Sequence, residues 1–436
     1  MHDDGHWLNA DRLRGYPRLF IVLYVLFCIG WGLAATGMMD PFGKPIGYDF
    51  MTFWSASRIA LDGAPVAAYD PTKIFAVQQG AVPTLGMVFL WHYPPTFYLV
   101  VLPLSLLPYF WSYVVFVAAT LGVYWGVVRR IAAPAGAGML FLAFPGVFVN
   151  AFHGQNAFLT GALLGATLLL LERRPVLAGI CAGLLAIKPH LAVLLPIAFI
   201  CMGAWRALFA AVLTALAFLG VSVVVLGDAT LTAFVGNLKL VRLIMEAGWL
   251  PWPKMPTLFA LAKLLGAPTL FAYALQAIGA LAAIACVTWI WWQRIDYGLK
   301  AAALVSGTLL VSPYLFDYDL ALMALPIAWC GMHGLRHGWL PREREILVLC
   351  WAWPAMVAPL TGGIYLQLAP FVTAAMLWMV WRRAREAAMM LAHSNVGSSS
   401  GDDDRVGPLV FVPATSTCRE LASSKRSCET ENRPCP

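Results

Sequence analysis

A few polar side chains interrupt an otherwise apolar sequence at places where chemistry is possible. Asp49 opens the stretch Gly47-Tyr48-Asp49-Phe50 that runs on to Gly63 and then to Tyr69-Asp70-Pro71. Two readings fit a carboxylate there. One is an N-cap, which the helix dipole favours. The other is a base at the lipid–water boundary that accepts the proton of an acceptor hydroxyl. Lys188 ends the apolar run Ala178–Ile187 and precedes Pro189. It reads either as a lysine snorkelling from a helix end or as a cation for a phosphate, a role that three donors on a flexible stem suit. His153-Gly154-Gln155-Asn156 reads as a polar turn or as a set of donors and acceptors for sugar hydroxyls. Asp317 and Asp319 flank Tyr318, just after Ser312-Pro313-Tyr314. A solvated turn is one reading, but Pro313 lies within an apolar run, which favours a functional one. A charge at membrane depth is costly unless paired or wet, so each of these positions is a site candidate.

The elements that position them are apolar helices. Hydrophobic residues make up 61% of the 436 and charged residues 12%, where a soluble domain carries roughly a quarter. The mean hydropathy is +0.74. The fold class is all-α, a polytopic integral membrane protein. The net charge of +7 comes from short basic clusters between apolar runs, as in cytoplasmic loops, so it gives no nucleic-acid signal. Cys28, Cys181, Cys201, Cys286, Cys330 and Cys350 fall in apolar runs as small core residues, and Cys418, Cys428 and Cys435 have no metal-like spacing. The first apolar run is long enough to span, and no small-residue cleavage site follows it, so no cleaved signal peptide is expected.

Residues 1–17 form an N-terminal segment that Arg12, Arg14 and Arg18 place in the cytoplasm. Residues 18–385 form the membrane domain, for which dividing the apolar runs at membrane thickness gives roughly 10–12 spanning or part-spanning helices. Within it, 40–95 is a long loop on the opposite side. In that loop Phe50, Phe53, Trp54, Ile59 and Leu61 oppose Asp49, Ser55, Arg58 and Asp62, which predicts an amphipathic helix in the interface. The runs 96–107 and 111–128 leave a choice. If both span, Arg129 and Arg130 break the positive-inside pattern; otherwise one of them is re-entrant. Residues 386–436 are expected to be a disordered cytoplasmic tail, since 394–436 is polar without helical period. There is no P-loop, no strand-linked Gly-rich dinucleotide pattern and no metal-spaced His/Cys set. An enzyme of this kind takes its donor from the membrane.

Read in order, these motifs resemble glycosyltransferase family 87. The resemblance is carried by Asp49-Phe50 with the helix to Gly63 and Tyr69-Asp70, then Tyr93-Pro94-Pro95 leading to Leu102-Pro103-Leu104 and Leu107-Pro108. Gly154-Gln155-Asn156, Leu177-Ala178-Gly179 with Gly183-Leu184 and Lys188-Pro189, and Ser312-Pro313-Tyr314 with Asp317-Tyr318-Asp319 and Leu325-Pro326 continue it. It covers roughly residues 17–385. The resemblance implies a GT-C architecture and transfer of a sugar, mannose in the mycobacterial members, from a polyprenyl-phosphate donor on the extracytoplasmic side with inversion. It implies Asp49 as the base. Members often carry a His after the Ser-Pro motif, where Tyr318 and Asp319 stand here.

An acceptor hydroxyl needs a base, and a leaving lipid phosphate needs cations or oriented donors. Lys188 is the leading candidate for the phosphate, with Arg58 and His190 behind it. Tyr93, His153, Gln155, Asn156, Asp317, Tyr318 and Asp319 are the candidates for sugar or acceptor contact. Trp54 and Trp91 read as interfacial anchors or as stacking platforms for sugar. The expected partners are a polyprenyl-phosphate sugar, a lipid or glycan acceptor and membrane lipids, with no nucleic acid, cofactor or metal site, and the expected location is the plasma membrane. Two other classes fit intramembrane polar groups. One is a flippase or transporter of a lipid-linked sugar, against which stands the lack of an internal repeat. The other is a non-catalytic subunit of a polysaccharide assembly.

Overall fold

A computed structural model describes residues 7–133, 137–364 and 366–398. The helices are, in order, α1 (Ala10–Ala34), α2 (Phe50–Leu61), α3 (Pro71–Ala81), α4 (Pro95–Val101), α5 (Tyr109–Ala132), α6 (Gly138–Leu142), α7 (Pro145–His153), α8 (Ala157–Leu170) and α9 (Pro175–Leu184). They continue as α10 (Leu195–Cys201), α11 (Trp205–Leu226), α12 (Asp228–Glu246), α13 (Leu258–Leu264), α14 (Thr269–Trp292), α15 (Tyr297–Val311), α16 (Ala324–His337), α17 (Glu343–Ile364) and α18 (Ala369–Ser398). The described residues contain no strand, only the isolated bridges Thr36↔Met39 and Met39↔Pro45.

Four of the described helices, α1, α5, α11 and α14, are long and apolar enough to cross a membrane. Their outer faces carry Leu33, Val224 and Leu270, each more than four-fifths exposed. An apolar surface on that scale is solvated by lipid. The protein is thus an all-α polytopic membrane protein. Between the long helices lie shorter apolar segments such as Ala157–Leu170, Pro175–Ile187, Pro189–Cys201 and Tyr297–Val311. Non-spanning pieces of this kind are tolerated where other helices cover them.

The choice between 96–107 and 111–128 is decided by proline. Pro95 starts α4, Pro103 interrupts it after seven residues and leaves a 3₁₀ turn over Leu102–Leu106, and Pro108 then sets the start of α5. The first run is short and packs against α2 and α11, while α5 alone is long enough to cross. Where α1 and α5 both cross, Arg129 and Arg130 return to the face that carries Arg12, Arg14 and Arg18.

Two further expectations change. The helix at Asp49 is buried over most of its surface: Thr52, Ser55 and Ser57 are sealed as well as Phe50 and Phe53, and Ser57 donates to the Leu102 carbonyl, while Arg58, Leu61 and the following Asp62 stay exposed. The proline-broken segment 95–106 covers its serines, and only the end that carries Arg58 and Asp62 stays open. At the other end of the chain, helix continues past Arg385 to Ser398 because Ala387, Ala388, Met389, Met390, Leu391 and Ala392 all favour it. The rest of the expected tail, 399–436, lies outside the described residues.

The closest helix pair is α9 against α11. A Cβ on Gly183 would lie 2.6 Å from the Ala211 carbonyl oxygen, and one on Gly179 would lie 2.3 Å from that of Ala207. This is the small-xxx-small contact of membrane helices. Gly183→Ala is expected to force the pair apart and cost roughly 1–3 kcal/mol, read as a lowered thermal midpoint of the detergent-purified chain. Gly122→Ala, with nothing within 4 Å of the new methyl, should leave the midpoint unchanged or raise it.

Candidate active site

The polar residues singled out above converge at one end of α5. Two of its tyrosines act as struts there: Tyr109 donates to the Ile46 carbonyl at 2.5 Å and Tyr113 to the Ala151 carbonyl at 2.8 Å. The first fixes the turn leading to Asp49, and the second fixes the end of α7. The turn itself is tight. Gly47 has φ 82° and Tyr48 φ 42°, a left-handed conformation that a tyrosine adopts only under constraint. Gly154 ends α7 at φ 60°, and a Cβ there would sit 2.6 Å from that of Phe50. Glycine is therefore required for the two turns to meet.

Where they meet, Asp49 precedes α2 without capping it. Its Oδ2 instead accepts a hydrogen bond from Gln155 Nε2 at 3.2 Å. Gln155 is oriented in turn, because its Oε1 accepts from the Tyr93 hydroxyl at 3.0 Å and from the Asn156 amide at 3.2 Å. The Tyr93 carbonyl accepts from the Tyr69 hydroxyl at 2.8 Å. A three-residue relay thus holds a half-buried carboxylate from the side, leaving its second oxygen without a hydrogen bond among the described residues. The adjacent Asn156 side chain is fully buried, and its amide nitrogen and oxygen make none either.

The third wall is the turn 312–319. Ser312 Oγ accepts from the Tyr314 amide, and the Asp319 carboxylate accepts from the Phe316 amide at 3.2 Å. Lys188 enters this wall from behind. It is only 4% exposed, its ammonium donates to Asp319, and it stands 5.2 Å from the Tyr318 ring centroid. Its position follows from Pro189, which bars the preceding residue from the helical conformation (φ −149°, ψ 70°) and ends the helical run there. Asp317 is also buried. Burial pushes its carboxyl above the usual range, an effect that the nearby His153 and Lys254 oppose.

Tyr93, Gln155, Asn156, Asp49, His153, Asp317, Tyr318, Asp319 and Lys188 therefore share one locality. His190 lies beside it, its ring edge-on to Tyr314 with the centroids 6.2 Å apart, and with Nε2 buried and without a hydrogen bond among the described residues. Arg58 does not take part. It sits one helix turn from Asp62 and pairs with it at 3.2 Å on the exposed side of α2. The tryptophans do not line the site either: Trp91 is packed between Phe97 and Tyr98, and Trp54 donates to the Leu107 carbonyl with its ring edge-on to Tyr109. The structure adds two residues that the sequence did not single out, Lys44 and Lys254. The loops 40–95 and 228–256 carry three basic residues each, Lys44, Arg58 and Lys73 in one and Lys239, Arg242 and Lys254 in the other, so no spacing marks these two. Only Lys44 and Lys254 of the six are turned inward; the others are exposed. A cavity of about 330 Å³ lies at the far ends of α1 and α5, lined mostly by apolar residues, and no candidate residue borders it.

A family model for glycosyltransferase family 87 matches residues 91–313, just over half of the chain. The chain belongs to glycosyltransferase family 87. No curated protein and no solved structure matches it. The protein is thus a membrane glycosyltransferase. The matched region of this family 87 chain contains Tyr93, His153, Gln155, Asn156, Lys188 and His190, and Lys254 as well. Asp49 and the aspartates of 317–319 lie outside it. The Gln155–Asp49 and Lys188–Asp319 contacts tie these outer segments to the matched core. Among the described residues, no group of His, Cys, Asp and Glu is arranged to hold a metal ion.

Proposed function

We propose that this family 87 transferase moves a mannose-like hexose from a polyprenyl-phosphate donor to a hydroxyl of a lipid or glycan acceptor. In this reading the site faces the extracytoplasmic side of the plasma membrane, both termini are cytoplasmic, the architecture is of GT-C type, and Asp49 is the general base. The observation that carries it is the state of Asp49: a half-buried carboxylate released from helix capping and oriented by the Gln155 amide, which Tyr93 orients in turn.

The chemistry follows. An acceptor hydroxyl attacks the anomeric carbon as the bond to the donor phosphate breaks. Its proton passes to the Asp49 oxygen that Gln155 leaves free, and the phosphate departs with the electron pair of the cleaved bond. Attack from the face opposite the leaving group inverts the anomeric centre. Tyr93, which is only partly buried, offers a polar group to sugar hydroxyls. Lys188 and Asp319 fix the wall on which Tyr318 is presented. The positive-inside pattern of Arg12, Arg14, Arg18, Arg129 and Arg130 supports the assignment of sides.

Purified protein in liposomes is expected to transfer sugar from polyprenyl-phosphate-mannose and not from a nucleotide sugar. The product's anomeric configuration, read by NMR, should be opposite to the donor's. Transfer from the nucleotide sugar alone, or retained configuration, would overturn the reading. Movement of the lipid-linked sugar across the bilayer without transfer would favour a flippase.

A further inference from the structure

We infer that Lys44 and Lys254, arranged around the ring of Tyr48, form the phosphate-binding pocket of this site, in place of Lys188. The inference rests on the lipid-phosphate donor proposed above.

A cation serves a ligand phosphate only if the phosphate can reach it and its charge is not already matched. Lys188 meets neither condition, being sealed and paired with Asp319. Lys44 and Lys254 are both reachable and neither is locked in an ion pair, although Asp40, Asp49 and Asp317 lie near enough to act on Lys44. Each is half-buried, and neither takes part in a salt bridge among the described residues. Their ammonium groups lie 5.2 and 5.8 Å from the Tyr48 ring centroid, so one aromatic platform gathers two like charges from distant loops.

The platform and one of the cations are fixed in advance. The Tyr48 hydroxyl donates to Asp40 Oδ2 at 2.6 Å, and Asp40 Oδ1 accepts from the amides of Phe42 and Lys44. Lys254 Nζ lies 3.0 Å from His153 Nε2, while His153 Nδ1 lies 2.8 Å from the Val149 carbonyl. The carbonyl can only accept, so Nδ1 carries the proton and Nε2 is the acceptor for the ammonium. His153 therefore aims Lys254. Burial and the Lys254 charge both draw the Lys44 ammonium below its usual range, with Asp49, Asp40 and Asp317 opposing them. Two like charges that act on each other are relieved by an anion bound beside them. Asp49 follows Tyr48 directly and acts on the Lys44 charge, so a phosphate held by these lysines lies in the base's neighbourhood.

The test is titration calorimetry of the full-length protein in detergent with farnesyl phosphate, farnesol and inorganic phosphate as probes. Farnesyl phosphate is expected to bind most tightly. Lys44→Gln and Lys254→Gln should each weaken it about tenfold or more, the gain typical of a charge-assisted hydrogen bond, and leave farnesol binding and the thermal midpoint unchanged. If both variants bind farnesyl phosphate within twofold of wild type, the lysine pocket is wrong while the lipid-phosphate donor stands. A wild-type protein that binds farnesyl phosphate no better than farnesol removes the donor reading, and the pocket with it. Inorganic phosphate binding as tightly as farnesyl phosphate would assign the lysines to a free anion and overturn the headgroup assignment.

Discussion

Asp49→Asn is expected to lower sugar transfer by about 10²–10⁴-fold, the usual contribution of a positioned general base, with no loss of fold. The exchange is nearly isosteric, and an Asn Oδ1 can still accept the Gln155 Nε2 hydrogen bond that holds the position. Helix α2 loses no cap, because the Asp49 side chain makes none. A thermal midpoint within a few degrees of wild type, together with a transfer rate near background from a saturating donor, is the expected pair of results. Binding of farnesyl phosphate should be retained, which separates loss of the base from loss of the phosphate pocket. Equal transfer by both proteins would remove Asp49 from the chemistry and leave the Gln155 contact as a structural tie between two turns.

What could be read from the chain and what could not divides along physical lines. The membrane class rests on composition, which no folding detail alters. The meeting of Asp49, Gln155, Lys188 and Asp319 was legible in kind, since each is a polar residue where polarity is costly, although their pairing over separations such as 106 and 131 residues was not. Pairing depends on tertiary geometry: the left-handed turns at Gly47-Tyr48 and Gly154, and the tyrosine struts of α5. Periodicity misjudged α2, because it reports which face is polar and not whether polar residues such as Ser55 and Ser57 find partners inside the protein. It also missed Lys44 and Lys254, whose direction depends on the loop backbone rather than on any repeat. Arg58 went the other way, since a basic residue one turn before Asp62 is satisfied locally.

Lys188→Met is expected to destabilise the protein by about 3–5 kcal/mol, because it strands a fully buried Asp319 charge without its partner. Thermal or denaturant unfolding of the purified chain measures this. Lys188→Met combined with Asp319→Asn should recover most of the loss, since no charge is then left uncompensated and the Asn can still accept from the Phe316 amide. The same pair of variants separates two roles for the lysine. If Lys188 positions the 312–319 wall, the double variant regains transfer with a near-normal donor KM as the fold recovers. If Lys188 grips the donor phosphate, as its sequence context alone allows, the double variant is stable but its donor KM stays high. The first outcome is expected, because a side chain 4% exposed that donates to a carboxylate and lies against the Tyr318 ring is already engaged on every side the geometry offers. The phosphate then has to be met by cations that are not sealed, and Lys44 and Lys254, both half-buried, are the ones inferred above.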